Sequence, residues 1–156
     1  ANPVGRFVID LVHYKENINE KQLNRIYSAS DFLCTSLQII NHIQDCKKDF
    51  NNHNRVYIPK SLFKKHNVSK KFLNHKNSSK NFKSLIIVII DKIEAILQNC
   101  YGGLNLIKPW RLRKETLIIL NIAKRLCYLL KKEDPLKKNV KLSRIDLIFC
   151  FIKGII

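Results

Sequence analysis

Four polar side chains, Gln38, Asn41, Asp45 and Asp49, recur at intervals of three and four residues within the run LQIINHIQDCKKD. On a helix of about 3.6 residues per turn these intervals return to nearly the same angle, so the four form one stripe. Leu33, Leu37, Ile40 and Ile43 fall on the opposite side, which gives the helix an apolar back and a polar front. Asp45 and Asp49 repel each other by about 0.2–0.5 kcal/mol at this spacing on an isolated helix. The pair suits Mg²⁺, which keeps several waters and binds through one or two carboxylates together with substrate phosphate oxygens. A cation held there would neutralise a departing diphosphate. Taken alone, such a pair is more often a solvated face, here with Lys48 offsetting Asp45. Against that reading stand the apolar character of the surrounding helix and the turn RVYIP, which places Arg55 and Tyr57 just before Pro59.

The elements that must carry this stripe are helical. The spacing predicts a first helix from Pro3 to about Tyr14, with Asn2 as its cap and Val4, Phe7, Val8, Leu11 and Val12 on its apolar face. Asn17 to Glu20 interrupts the chain. Ser28 or Ser30 then opens a second helix that carries the whole stripe to about Phe50. Asn51 to Pro59 is a loop, because NNHN favours turns and the residue before Pro59 is pushed out of helical geometry. Ser61 to His66 and Ser69 to Asn74 are short helical candidates. Residues 66–83, rich in Lys, Asn, His and Ser, read as a mobile segment within the domain.

A long helix follows from about Asn81 to Tyr101, with Gly102-Gly103 as its C-terminal cap. Pro109 and Trp110 restart the chain for a helix to about Lys132, which Asp134-Pro135 breaks. Ser143 caps the last helix, Arg144 to Lys153. The fold class is all-α, a bundle of about five to seven helices.

A length of 156 residues bounds the chain to one domain or part of one. The net charge of +17 and sequence pI near 9.9 fit an anionic partner, and they fit equally a Lys-, Asn- and Ile-rich composition imposed by an AT-rich genome. Cys34, Cys46, Cys100, Cys127 and Cys150 form no CxxC pair and read as reduced thiols of a cytoplasmic protein. The longest apolar run, Leu85 to Ile90, is far shorter than the roughly twenty residues of a membrane span, and no secretory leader pattern opens the chain. The expected location is the cytoplasm, with peripheral contact to the cytoplasmic membrane face.

His42 and Cys46 lie one turn apart but lack a second ligand pair for zinc, and His13, His53, His66 and His75 read as solvated. GxSxG, Walker A and GxGxxG are absent, which excludes nucleophile-elbow hydrolase, P-loop and dinucleotide chemistry. The Lys-rich stretch around Phe63, Phe72 and Phe82 matches no nucleic-acid module, so nucleic acid is disfavoured as a partner.

The pattern Q-x-x-N-x-x-Q-D-x-x-x-D followed by R-V-Y-I-P resembles the second aspartate-rich motif of the squalene/phytoene synthase family. ANPVGR at Ala1 to Arg6 and NHIQDCKKD at Asn41 to Asp49 are most similar to its bacterial hydroxysqualene-forming branch, of hopanoid pathways. The likeness is close over the first part of the chain and loose beyond it, where GGLNL at Gly102 to Leu106 fits the family only approximately.

The resemblance implies an isoprenoid synthase helical core, with 1–156 forming a single partial domain truncated on its N-terminal side. It implies Asp45 and Asp49 as Mg²⁺ ligands against a prenyl diphosphate, with Asn41 and Gln38 as catalytic residues in the same polar wall. Arg55 would contact the diphosphate or close the loop through a salt link. Tyr57 would face the cavity and stabilise a cation, or simply pack beside Pro59. Val4 and Gly5 match a small-residue stretch beside the prenyl chain, where Gly serves equally for close helix packing.

The implied reaction is Mg²⁺-assisted ionisation of presqualene diphosphate and capture of the cation by water, giving hydroxysqualene and diphosphate. A squalene or phytoene synthase acting on farnesyl or related prenyl diphosphates is the nearest alternative. A truncated, inactive chain or a basic helical module on an anionic membrane or nucleic acid is the alternative outside enzymes. Two departures from the family pattern stand out. Gln44 occupies a position where many members carry Arg, and the first aspartate-rich motif is missing, since Asp91 to Glu94 has the wrong spacing. The N-terminal half of the same enzyme is therefore an expected partner.

Overall fold

The computed structural model describes residues 1–14, 16 and 18–155, and every regular element among them is helical. In order these are α1 (Asn2–His13), α2 (Glu20–Gln44), α3 (Cys46–His53), α4 (Lys60–Lys65), a 3₁₀ turn (Lys70–Asn74), α5 (Lys80–Gln98), α6 (Cys100–Leu104), α7 (Trp110–Lys132) and α8 (Arg144–Ile155). Helix α2 is the centre of the bundle and packs against α1, α5, α6 and α7, while α8 lies on α7. Ile26, Ile40 and Ile43 of α2 meet Leu85, Ile90, Ile93 and Leu97 of α5 and Leu120, Ala123 and Cys127 of α7 in one core. Each fully buried aliphatic side chain there contributes about 1.5–3 kcal/mol.

Helix boundaries follow the caps actually used. Asn19 accepts a hydrogen bond from the Gln22 N–H at 2.8 Å and so starts α2 at Glu20, well before the Ser28 or Ser30 start predicted from sequence. Those serines serve other ends: the Ser28 hydroxyl bonds the Asn24 carbonyl at 2.9 Å within the helix, and Ser30 is buried. The predicted interruption at Asn17 lies outside the described residues, and Glu20 is already helical. Asn2 is the first residue of α1 rather than its cap; its side chain accepts a bond from the Thr35 hydroxyl at 3.2 Å on α2.

His13 is buried, not solvated as the sequence suggests. Its Nε2 accepts the Lys108 N–H at 3.2 Å, so its Nδ1–H donates to the Ile9 carbonyl at 2.8 Å. Both ring nitrogens are thereby satisfied by backbone.

Within 66–83, Val68, Leu73 and Phe82 reach the core, and Ser79 caps α5 by accepting from the Phe82 N–H at 3.1 Å. Asp134 accepts from the Ser78 hydroxyl at 2.5 Å, the Ser78 N–H at 2.8 Å and the Leu136 N–H at 2.9 Å. Burial works against its charge, and these hydrogen bonds outweigh it, holding the carboxyl below its ordinary value. Ser143 and Asp146 cap α8 reciprocally: the Ser143 hydroxyl accepts from the Asp146 N–H at 3.1 Å, and the Asp146 carboxylate accepts from the Ser143 N–H at 2.9 Å. The helix continues to Ile155, beyond the Lys153 expected from sequence.

The glycine pair corrects a sequence expectation. Helix α5 ends at Gln98, and Gly102 and Gly103 lie inside α6, with no glycine among the described residues at positive φ. A Cβ on Gly103 would sit 2.5 Å from the Arg25 carbonyl oxygen and 2.5 Å from the Ala29 Cβ. What the position requires is the missing side chain, so that α6 can touch the backbone of α2. Gly154 plays the same part for α8 on α7, where a Cβ would meet the Ile118 N and Cα at 2.8 Å.

Gly103→Ala is expected to lower stability by about 1–3 kcal/mol, because the backbone it meets must move. Gly102→Ala, whose Cβ would meet only the Arg25 guanidinium at 3.8 Å, keeps or raises stability. Urea unfolding midpoints of the two variants check this.

Candidate active site

The helix that was expected to carry the whole stripe breaks at Asp45. Helix α2 ends at Gln44 and α3 begins at Cys46, with Asp45 between them at φ −96°, ψ 5°. The Asp45 N–H nevertheless bonds the Asn41 carbonyl at 2.9 Å, and the Asp49 N–H bonds the Asp45 carbonyl at 2.8 Å. A helical hydrogen-bonding rhythm thus passes through the break and keeps the two half-buried aspartates one turn apart. The Lys47 ammonium donates to the carbonyls of Leu136 at 2.8 Å and His75 at 3.0 Å. The Gln44 amide donates to the Val140 carbonyl at 2.6 Å. These bonds seat the chain after Pro135 beside Asp45.

Four of the expected site residues meet in one cavity of about 530 Å³ between α1, α2 and α7. Val4 and Gly5 line it from α1, and Gln38 and Asn41 from α2. Val8, Leu33, Leu37, Leu104, Ile107, Leu112 and Ile119 make the rest of the wall largely apolar. Gly5 permits this geometry, since a Cβ there would lie 2.6 Å from the Ser30 hydroxyl oxygen and 3.0 Å from Cys34 Sγ. Arg6 clamps the same helix by a forked ion pair to Asp31, at 2.5 Å for the closest contact. The Arg6 guanidinium also lies 5.4 Å from the Tyr27 ring centroid, and the Tyr27 hydroxyl donates to Asp10.

The remaining site residues lie elsewhere. Asp45 borders a groove of about 350 Å³ whose other walls include Lys47, Lys48, Asn51 and residues 135–139. Asp49 follows one turn on, and its carbonyl accepts the Arg55 N–H at 3.1 Å. That contact is possible because Asn54 takes the left-handed conformation, φ 50°, which Asn tolerates better than most residues. Helix α3 runs to His53, so the loop begins at Asn54 and not at Asn51 as expected from sequence. Tyr57 stacks on His42 with centroids 3.7 Å apart and planes 10° from parallel, lining a separate apolar cavity with Ile58, Leu62 and Ile93. Gln38 and Asn41 are absent from that cavity's wall.

Lys137, Lys138 and Asn139 beside Asp45 went unrecognised in the sequence, although the basic run is visible there. No local spacing relates that run to an aspartate so far back in the chain. Cys34, for which the sequence suggests no role beyond a reduced thiol, also lines the cavity. Among the described residues no group of three or more His, Cys, Asp and Glu is placed to hold a metal ion. Any cation at Asp45 and Asp49 would therefore complete its coordination with water and substrate oxygens, a donor set that fits Mg²⁺.

An all-helical bundle with an apolar cavity and a nearby carboxylate pair has the features of an isoprenoid synthase core. The profile of the Squalene/phytoene synthase family matches residues 1–146, and the chain belongs to that family. Among curated proteins it is similar to the hydroxysqualene synthase of Sinorhizobium fredii, 38% identical over 148 residues that make 95% of this chain and 48% of the relative. It is also similar to the hydroxysqualene synthase of Zymomonas mobilis, 34% identical over 94% of this chain and 46% of the relative. That of Rhodopseudomonas palustris is 32% identical over 95% of this chain and 48% of the relative. The chain thus spans about half the length of the curated relatives it matches. No solved structure matches.

Burial pushes the thiols of Cys46 and Cys127 up to about 12 and that of Cys100 up to about 11, and raises that of Cys150 as well. Cys34 is only half-buried and opens onto the cavity. One thiol is therefore expected to react quickly with an aromatic disulfide reagent in the native chain, against five in denaturant. Cys34→Ser removes the fast phase, and a long-chain isoprenoid alcohol in the cavity slows it; thiol titration and peptide mass mapping check both.

Proposed function

We propose that this chain is the part of an isoprenoid diphosphate enzyme that holds one of its carboxylate pairs, acting on presqualene diphosphate to give hydroxysqualene and diphosphate. The observation that carries the reading is the junction at Asp45. It sets two half-buried carboxylates at the end of a helix whose preceding turns, Gln38 and Asn41, line an apolar cavity. Three relatives bearing the name hydroxysqualene synthase support this product over squalene or phytoene. On this reading residues 1–156 are one partial domain, cytoplasmic, with 66–83 as a mobile surface stretch anchored at Val68, Leu73 and Phe82.

Asp45 and Asp49 would hold Mg²⁺ through their carboxylate oxygens. Bound there, the cation neutralises the leaving diphosphate. The chain's own residues supply the rest. Val8, Leu33, Leu37 and Leu112 exclude bulk water from the hydrocarbon. Gln38 and Asn41 present the wall's polar groups, able to orient a water toward the developing cation. Val4 borders the space for the isoprenoid chain, and the bare backbone of Gly5 lets α1 seat against Ser30 and Cys34 beside it. Arg55, exposed and tethered through its N–H to Asp49, faces the diphosphate end. Tyr57, stacked on His42, fixes the turn that carries Arg55.

Isothermal titration with presqualene diphosphate should show binding that Mg²⁺ strengthens at least tenfold. Asp45→Ala and Asp49→Ala should each remove that strengthening while leaving the affinity without metal unchanged. Mg²⁺ dependence that survives in the double variant defeats the proposed site.

A second reading, peripheral contact with an anionic membrane, is favoured by α8. Among the described residues no helix is long and apolar enough to cross a membrane. Helix α8 nevertheless exposes Ile145, Ile148, Phe149, Ile152 and Ile155 on its outer side, in a chain of net charge +17, with Arg144 and Lys153 near its two ends. An interfacial helix uses this combination of apolar face and flanking cations. Co-sedimentation with phosphatidylglycerol vesicles is expected in low salt, weakening as salt rises. Phe149→Asp should reduce it by about tenfold or more; binding indifferent to that substitution would exclude α8 as the contact.

A further inference from the structure

Helices α7 and α8 meet along a groove of about 530 Å³ that shares no lining residue with the Gln38 and Asn41 cavity. Lys124 and Arg125 enter it from α7 and Lys153 from α8, while Tyr128, Phe149 and Ile152 give it an exposed apolar wall. Asp146 compensates Arg125 at 2.6 Å and is itself engaged by Ser143. Lys124 and Lys153 are exposed and have no acidic partner among the described residues. The Arg125 guanidinium lies 4.7 Å from the Tyr128 ring centroid, and the Lys132 ammonium 4.5 Å from it. Lys132, with Arg125 adding to it, holds the Tyr128 phenol below its ordinary value, the mark of a positive local field.

We propose that this groove binds the phosphate headgroup of a single anionic phospholipid, whose acyl chains lie along the apolar side of α8. The inference rests on the reading of α8 as a membrane contact and gives that contact a chemically defined site. Lys124 and Lys153 receive the phosphate from two helices, and their long stems keep the ammonium groups at headgroup depth. The chains pass Phe149 and Ile152 toward Ile145 and Ile148, which are exposed on the same helix. Tyr128, an apolar ring with a polar tip, suits the boundary between the two regions.

The mixture of charge and hydrocarbon separates this occupant from others. A nucleic acid takes a track of phosphate contacts and stacks its bases on aromatic rings. Here two cations remain uncompensated, and the wall runs on into aliphatic side chains of α8. A free phosphate meets the cations but leaves that wall in water. A zwitterionic lipid covers the wall but gains little from the cations. An anionic phospholipid answers to both.

Isothermal titration of the purified chain with dihexanoyl phosphatidylglycerol, kept below its micelle concentration, tests the site without a membrane. Saturable one-to-one binding is expected, at least tenfold tighter than that of dihexanoyl phosphatidylcholine or of glycerol 3-phosphate. Lys124→Gln combined with Lys153→Gln should weaken it by about 30-fold. Lys124→Arg combined with Lys153→Arg should keep it. Both side chains are exposed, so circular dichroism of the variants should match the parent.

Absence of saturable binding overturns the proposal, as does binding indifferent to the Gln substitutions. Equal affinity for the phosphatidylcholine reduces the groove to an apolar surface, and equal affinity for glycerol 3-phosphate makes it a free-phosphate site; either result also overturns it. A single-stranded oligonucleotide that binds in the lipid's place, and is lost with the Gln substitutions, assigns the cations to nucleic acid with the same consequence. Vesicle binding that depends on Phe149, without binding of the monomeric lipid, keeps α8 as a membrane contact and removes this site. Binding of the monomeric lipid without vesicle co-sedimentation supports the site and refutes the contact, so the two readings fail separately.

Discussion

Helix α2 must be surrounded on nearly every side and still leave one narrow strip of polar residues open, and the rest of the bundle is arranged around that requirement. Backbones have to come close enough to enclose it without large side chains on the facing surfaces. Gly5 and Gly103 provide two such approaches, one at the cavity and one near the start of α2, each with a neighbour inside the space a Cβ would take. The strip that remains uncovered is where Gln38 and Asn41 reach a cavity otherwise walled by aliphatic side chains.

The break at Asp45 is the second consequence of that arrangement. A straight helix would have carried Asp49 and Phe50 onward along the direction of α2. The turn redirects the chain into α3, whose neighbour is the 3₁₀ turn around Leu73. Gln44 and Lys47 then fasten the connection before α8 across the junction. The Gln44 amide makes a backbone contact with Val140, so Gln44 serves the local architecture. Asp45 is left in a groove bordered by Lys48, Lys137 and Lys138.

The helical class and the long helix over Trp110 to Lys132 were legible because each is written in local periodicity. The Ser143 cap was legible for the same reason, since its partner Asp146 lies within one turn. The start of α2 was not, because Asn19, Ser28 and Ser30 are all acceptable caps and only packing decides among them. The glycine pair misled because Gly next to a helix end usually marks a left-handed cap, whereas here it marks contact with Arg25 and Ala29 of a helix remote in sequence. His13 misled similarly: its partners are a carbonyl one turn away and an amide beyond α6, and the second cannot be read from local sequence. Of the candidate site, Val4, Gly5, Gln38 and Asn41 share the cavity, while Tyr57 was displaced to another by its stacking on His42.

Helix α1 is held to the bundle unevenly. It buries only Ile9 and His13, and the Arg6–Asp31 pair that helps to attach it is exposed, of a kind worth at most about 1 kcal/mol. Such an element sits low on the scale of local opening free energies, below the buried helices α2, α5 and α7. Its amides are expected to exchange with solvent before those of the core helices. Of the walls that α1, α2 and α7 give the cavity, α1 is therefore the most weakly held.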